Sequence, residues 1–189
     1  MKGSDGPRPH ELGGSVEAHP IPSKRARQVA VIGSSRLAPG SELANLAEEV
    51  GRLLAEAGVT VVCGGGPGVM EAAARGAADA GGTVVGILPG IDPGEANPYC
   101  THVVATGSGQ TRNLAVAASG EVAIAVGGEW GTLTEIAYAR NLGRPVIALR
   151  SWGVSGIGEM EGGPGVVPAA SAAEAVALAL DPPAEPRAS

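Results

Sequence analysis

Lysine is almost missing from this chain. Its 189 residues include only Lys2 and Lys24, both in a polar N-terminal stretch. With no lysine in the body there is no Schiff-base nucleophile, which sets pyridoxal chemistry aside, and no P-loop ending in GK. Histidine is nearly as scarce: His10 and His19 share that stretch, leaving His102 alone. A His/Cys metal cluster and a Ser-His-Asp triad therefore lack members. Cys63 and Cys100, the two cysteines, make no disulfide framework and read as reduced thiols. Two Trp, two Tyr and no Phe leave Val, Ile, Leu and Ala to build the core. Positive charge is short as well, and a net charge of −6 argues against a broad nucleic-acid footprint, which needs a basic face. No apolar run approaches the ~20 residues of a membrane span, and the N-terminus lacks the apolar segment of a signal peptide. A cytoplasmic protein with no nucleic-acid or membrane partner is expected.

What the chain does have is order after residue 27. Residues 1–27, rich in Gly, Pro, Ser and charge, read as a disordered leader. Its KRAR cluster is either a solvated tail or a contact for an acidic partner. Gln28 to Ile32 (QVAVI) then reads as a short apolar strand. From Ser41 to Ala57 apolar residues recur at the spacing of an amphipathic helix, with Gly58 as its stop. Strands follow at Val59–Cys63, Thr83–Leu88, His102–Ala105, Val122–Val126 and Pro145–Leu149. Helices are predicted over Gly68–Ala80, Thr111–Ser119, Thr132–Leu142 and, after a glycine-rich loop, Ser171–Leu180. Short apolar strands alternating with helices mean crossover units, and strands without polar alternation are buried on both faces. The class is α/β: a Rossmann-like three-layer αβα domain over residues 28–181, with a mainly parallel sheet of about six to seven strands. Residues 182–189 are expected to form a disordered tail. Strand order is not legible.

Glycine is the abundant residue, at 31 positions, and its placement points to a site. CGGGPGVM, with Gly64, Gly65, Gly66, Gly68 and Met70, joins the second strand to its helix. A flexible linker does not belong there; a tight packing turn or a phosphate loop does. Ligands of such sheets bind beyond the carboxyl ends of the strands, where helix N-termini offer free N–H groups to a phosphate. Gly33-Ser34-Ser35 follows the first strand, and GGEWGTLTE, with Gly128, Gly131 and Thr132, follows the fifth. The dinucleotide fingerprint is absent from the first turn, which reads GSSRLAPG, and no acid ends the next strand to hold a ribose. No cofactor and no metal are expected. Thr132 to Glu135 spells a capping box, which would explain Glu135 without chemistry. Arg112 lies in the first turn of its helix, where a cation opposes the dipole. It is either solvent-facing or placed to grip a phosphate or pair a carboxylate.

These loops, with Arg112 and the G-T-x-x-E of Gly131, Thr132 and Glu135, resemble the Lonely Guy (LOG) family over about Val29 to Leu149. The similarity is to the branch that contains molybdenum-cofactor carrier proteins. The resemblance implies a phosphoribohydrolase that cleaves the N-glycosidic bond of a nucleoside 5′-monophosphate such as AMP. Glu135 would be its catalytic carboxylate and Arg112 the partner, with the glycine loops holding the phosphate. The alternative it implies is a non-catalytic carrier of a phosphate-bearing ligand such as the molybdenum cofactor. It also implies a homodimer with paired helix faces. Three positions depart from the family pattern: Gly127 replaces a proline, Glu129 a glycine and Asn113 a lysine.

Overall fold

The computed structural model describes residues 26–38, 40–152 and 166–182. The leader up to residue 25, the segment 153–165 and the tail from 183 lie outside the described residues. Apolar residues without polar alternation form β1 (Gln28–Gly33), β2 (Thr60–Cys63) and β3 (Val84–Leu88), and likewise β5 (Val122–Val126) and β6 (Val146–Leu149), all largely buried. β4 (His102–Ala105) and β7 (Val166–Ala169) are less covered and close the two edges. The seven strands are parallel, in the order β4-β3-β2-β1-β5-β6-β7.

β7 departs from the sequence reading, which ran loop up to the last helix. Val166 to Ala169 pair instead with Val146 to Leu149 of β6. Pro168 disguised it, because proline cannot donate to a ladder and argues against a strand. β7 lies at the edge of the sheet, the place where a strand tolerates proline.

Successive strand residues point to opposite faces. Val29, Val31, Val61, Ile124 and Ile147 face one layer, with α1 (Glu42–Glu56), α2 (Val69–Asp79) and α5 (Ala172–Leu180) upon them. Ala30, Ile32, Val62, Ala123 and Ala125 face the other, under α3 (Arg112–Ser119) and α4 (Trp130–Asn141). Ser41 and Ser171 cap α1 and α5 by accepting from Ala44 and Glu174 N–H at 3.4 and 3.1 Å. α1 and α2 meet backbone to backbone. A Cβ on Gly51 would lie 2.0 Å from the Ala73 carbonyl oxygen, and one on Gly76 would lie 1.9 Å from that of Glu48. Only glycine fits at this crossing, so composition here serves packing rather than a ligand.

Arg27, assigned to the leader by sequence, belongs to the domain. Its guanidinium donates to the carbonyls of Ala179, at 2.9 Å, and Leu180, and so ties the start of β1 to the end of α5. Among the described residues no helix is long and apolar enough to cross a membrane.

Candidate functional site

β1 and β5 lie side by side, but the chain leaves β1 for α1 on one face and β5 for α4 on the other. That divergence opens a crevice at the carboxyl ends of the two strands. A cavity of about 150 Å³ occupies it. Gly33, Ser34 and Ser35 line it from the first loop, and Glu129, Gly131, Thr132 and Glu135 from the second loop and α4. Gln110, Arg112 and Asn113 close it from the start of α3, and Met70 from α2.

Most of the expected residues converge here, but the glycine run after β2 stands behind the cavity rather than in its lining. Gly64 makes room for Arg112: a Cβ there would lie 1.7 Å from the guanidinium Nη1. Gly65 and Gly66 turn their carbonyls to Asn97, which donates to them from its backbone N–H at 2.8 Å and its side-chain Nδ2 at 3.0 Å. Gly68 leads into α2, whose first N–H, from Val69, donates to the Ser34 carbonyl at 2.9 Å. Gly128 packs against the Thr132 side chain. The run thus positions Arg112 and the Ser34 loop.

The capping-box reading is corrected. α4 starts at Trp130 with Glu129 at its N-cap, two residues before the predicted start. Thr132 is therefore the third helical residue, and Glu135 sits in the second turn. Both are buried, facing the cavity. Gly131 and Thr132 carry N–H groups of the first turn, which have no intrahelical acceptor. Arg112 opens α3 as expected, after a 3₁₀ turn over Gly109–Thr111. Sequence reasoning did not assign Gln110, Asn113 and Glu129 to the site; the polar QTRN opening an alanine-rich helix was the available signal.

Electrostatics set the site apart from the core around it. Glu135 is 7% exposed, and burial pushes its carboxyl up to about 7 while the Arg112 charge pulls against that shift. Burial lowers the Arg112 guanidinium below its ordinary value, opposed by Glu135. It stays charged, since arginine has more margin than any such shift removes. Its Nε and Nη1 are buried without a hydrogen-bond partner. A half-buried cation with two unpartnered donors beside a cavity is a place for an acceptor-rich anion. Cys63, by contrast, is fully buried, and a hydrogen bond with Cys100 together with burial pushes its thiol up. It remains a neutral core residue.

Glu129, where the family pattern has glycine, does not reach toward Arg112. Its Oε1 accepts from Ser34 Oγ at 3.1 Å and its Oε2 from Arg36 Nη2 at 2.8 Å. A wider groove of about 490 Å³ lies on the α1–α2 surface. Its carboxylates Glu48, Glu49 and Glu56 are engaged by Arg75 and Arg52, and it lies away from the strand ends where such sheets bind ligands.

A parallel Rossmann-type sheet, with a half-buried Arg112 and a buried Glu135 at its switch point beside glycine loops, defines a LOG-like protein with a nucleotide-binding fold. The chain belongs to the SLOG cluster4 family, whose profile matches residues 26–176. It is similar to the molybdenum cofactor binding protein of the phototrophic bacterium Rippkaea orientalis. That match has 31% identity and a TM-score of 0.76 and covers 84% of this chain and 98% of the other. The molybdenum cofactor carrier protein of Chlamydomonas reinhardtii matches at 31% identity and a TM-score of 0.75, over 83% of this chain and 98% of that one. An uncharacterized protein of Archaeoglobus fulgidus is 40% identical over 123 residues, 65% of this chain and 80% of its own.

Proposed function

We propose that the chain binds a phosphate-bearing small molecule in the β1/β5 cavity and acts as its carrier, in the manner of the molybdenum-cofactor proteins it resembles. The observation that carries this reading is Arg112, a half-buried cation lining the cavity whose Nε and Nη1 are buried without a hydrogen-bond partner. The free N–H groups at the start of α4 and the Ser34 and Ser35 hydroxyls add further donors. At about 150 Å³ the cavity is smaller than the ~300–1,000 Å³ of pockets that enclose a drug-sized ligand. It takes the phosphate and the group next to it, and leaves the rest of the ligand at the rim. Mass spectrometry of the ligand that co-purifies tests the reading, together with the shift in melting temperature on adding AMP or molybdenum cofactor. Arg112→Met should remove that shift; a full shift in this variant would overturn the assignment.

A second reading, hydrolysis of a nucleoside 5′-monophosphate, is favoured by Glu135. A carboxyl titrating at about 7 beside a cation is suited to stabilise a ribosyl cation or to orient water. Incubation with a panel of nucleoside monophosphates, with Glu135→Gln in parallel, separates the two. Base released by the native protein alone supports catalysis; binding without release supports the carrier. A homodimer is proposed with either reading, paired through the outer face of α3 and α4, where Leu114, Trp130 and Leu142 are exposed. A monomer by light scattering would refute it.

A further inference from the structure

Glu129 puts a second carboxylate, beside Glu135, into the lining of the cavity proposed to hold an anion. Its surroundings decide what it does there. Each of its two oxygens takes one donor from the β1–α1 loop: Ser34 Oγ at 3.1 Å and Arg36 Nη2 at 2.8 Å. The Arg36 backbone N–H donates to Ser34 Oγ at 3.0 Å, which leaves the hydroxyl proton free for the carboxylate. A hydroxyl and a guanidinium converging on two oxygens of one anion is the arrangement that also receives a phosphate. We propose that Ser34 and Arg36 are a phosphate-binding arm of the cavity, and that Glu129 holds their place until a ligand's phosphate replaces it.

The proposal rests on the phosphate reading of the site and adds to it a residue, Arg36, and a competitor, Glu129. Magnitudes permit the exchange. The Arg36 and Glu129 side chains are 80% and 43% exposed. An ion pair so open to water is weak, so little is lost when it breaks. Leaving Glu129 in place would cost more, because a phosphate dianion on Ser34 would sit against a carboxylate. Once displaced, Glu129 frees Arg36 to supply a second cation in addition to Arg112. A ligand with a single negative charge gains less from the exchange, so Glu129 sets a preference for phosphate monoesters over carboxylates and diesters.

Isothermal titration of the full chain with inorganic phosphate and with ribose 5-phosphate tests this. Glu129→Gln should bind both about tenfold more tightly than the native protein, and Glu129→Ala should do the same. Arg36→Ala should bind about tenfold more weakly. Both substituted side chains reach solvent, and an unchanged melting temperature without ligand verifies the fold. Equal or weaker binding by both Glu129 variants would overturn the proposal, as would unchanged binding by Arg36→Ala. If Arg112→Met alone abolishes binding while the other variants behave as native, the anion site stands and only the exchange falls. If no variant and no native sample binds either probe, the phosphate reading fails and this inference with it.

Discussion

One face of the sheet carries α1, α2 and α5 on an apolar layer in which Val, Leu and Ala interlock. The other carries α3 and α4 on a thinner layer and takes in Arg112 and Glu135, a cation and a carboxylate, at its upper end. The contrast shows how a small core with few aromatics accommodates a charged site. Close packing, down to the backbone contact of Gly51 and Gly76, is concentrated where no ligand enters. The opposite layer holds the groups that are costly to bury: a guanidinium with two donors unsatisfied and a carboxyl displaced from its ordinary ionisation.

Intrusion on the two faces should differ most. Gly76→Ala drives a methyl group into the Glu48 carbonyl oxygen, and we expect a loss of about 3 kcal/mol by urea unfolding. Gly131→Ala meets nothing within 4 Å and should stay within about 1 kcal/mol of native, on the stabilising side. Similar losses in both would dissolve the comparison.

Glu135→Gln should come next, and its effect should depend on pH. The unfolded chain releases this proton near 4.5 and the folded one near 7. Stability therefore falls as pH rises through that interval, because the unfolded state loses its proton first. Above 7 the penalty is complete. The glutamine variant should match native stability at pH 4 and exceed it by about 2–3 kcal/mol at pH 8. A constant difference at both pH values would mean that the carboxyl is not displaced.

Arg112→Met should raise the Glu135 midpoint above about 7, since the cation now holds it down. Carboxyl titration followed by NMR reads this directly, and a fall would reverse the assigned coupling. The smallest effect belongs to Arg36→Ala. Its exposed pair with Glu129 predicts a stability change below about 1 kcal/mol, whatever happens to ligand binding.

The sequence made the layered class, most of the strands and the convergence of Ser34, Arg112, Thr132 and Glu135 legible. QVAVI and VAIAV have the continuous hydrophobicity of doubly covered strands, and glycine loops mark carboxyl ends. Other features stayed hidden for physical reasons. Strand order depends on tertiary pairing, which no local pattern encodes. The start of α4 was misplaced because Thr132 and Glu135 satisfy a local capping rule, while the helix already runs from Trp130 with Glu129 at its N-cap. The glycines after β2 looked like phosphate ligands, but Gly64 is needed by a side chain 48 positions on, at Arg112. Such long-range demands leave no periodic trace.

The clasp of Arg27 on Ala179 and Leu180 has a practical consequence. It brings the two ends of the described domain together at the amino edge of the sheet, while the cavity opens at the carboxyl edge. A linker or solid support joined directly at the start of β1 or the end of α5 would lie away from the cavity, so protein immobilised there should retain its ligand capacity. A circular permutant could join the two ends with a short linker and open new ends in a distant loop, leaving the crevice between β1 and β5 uncut.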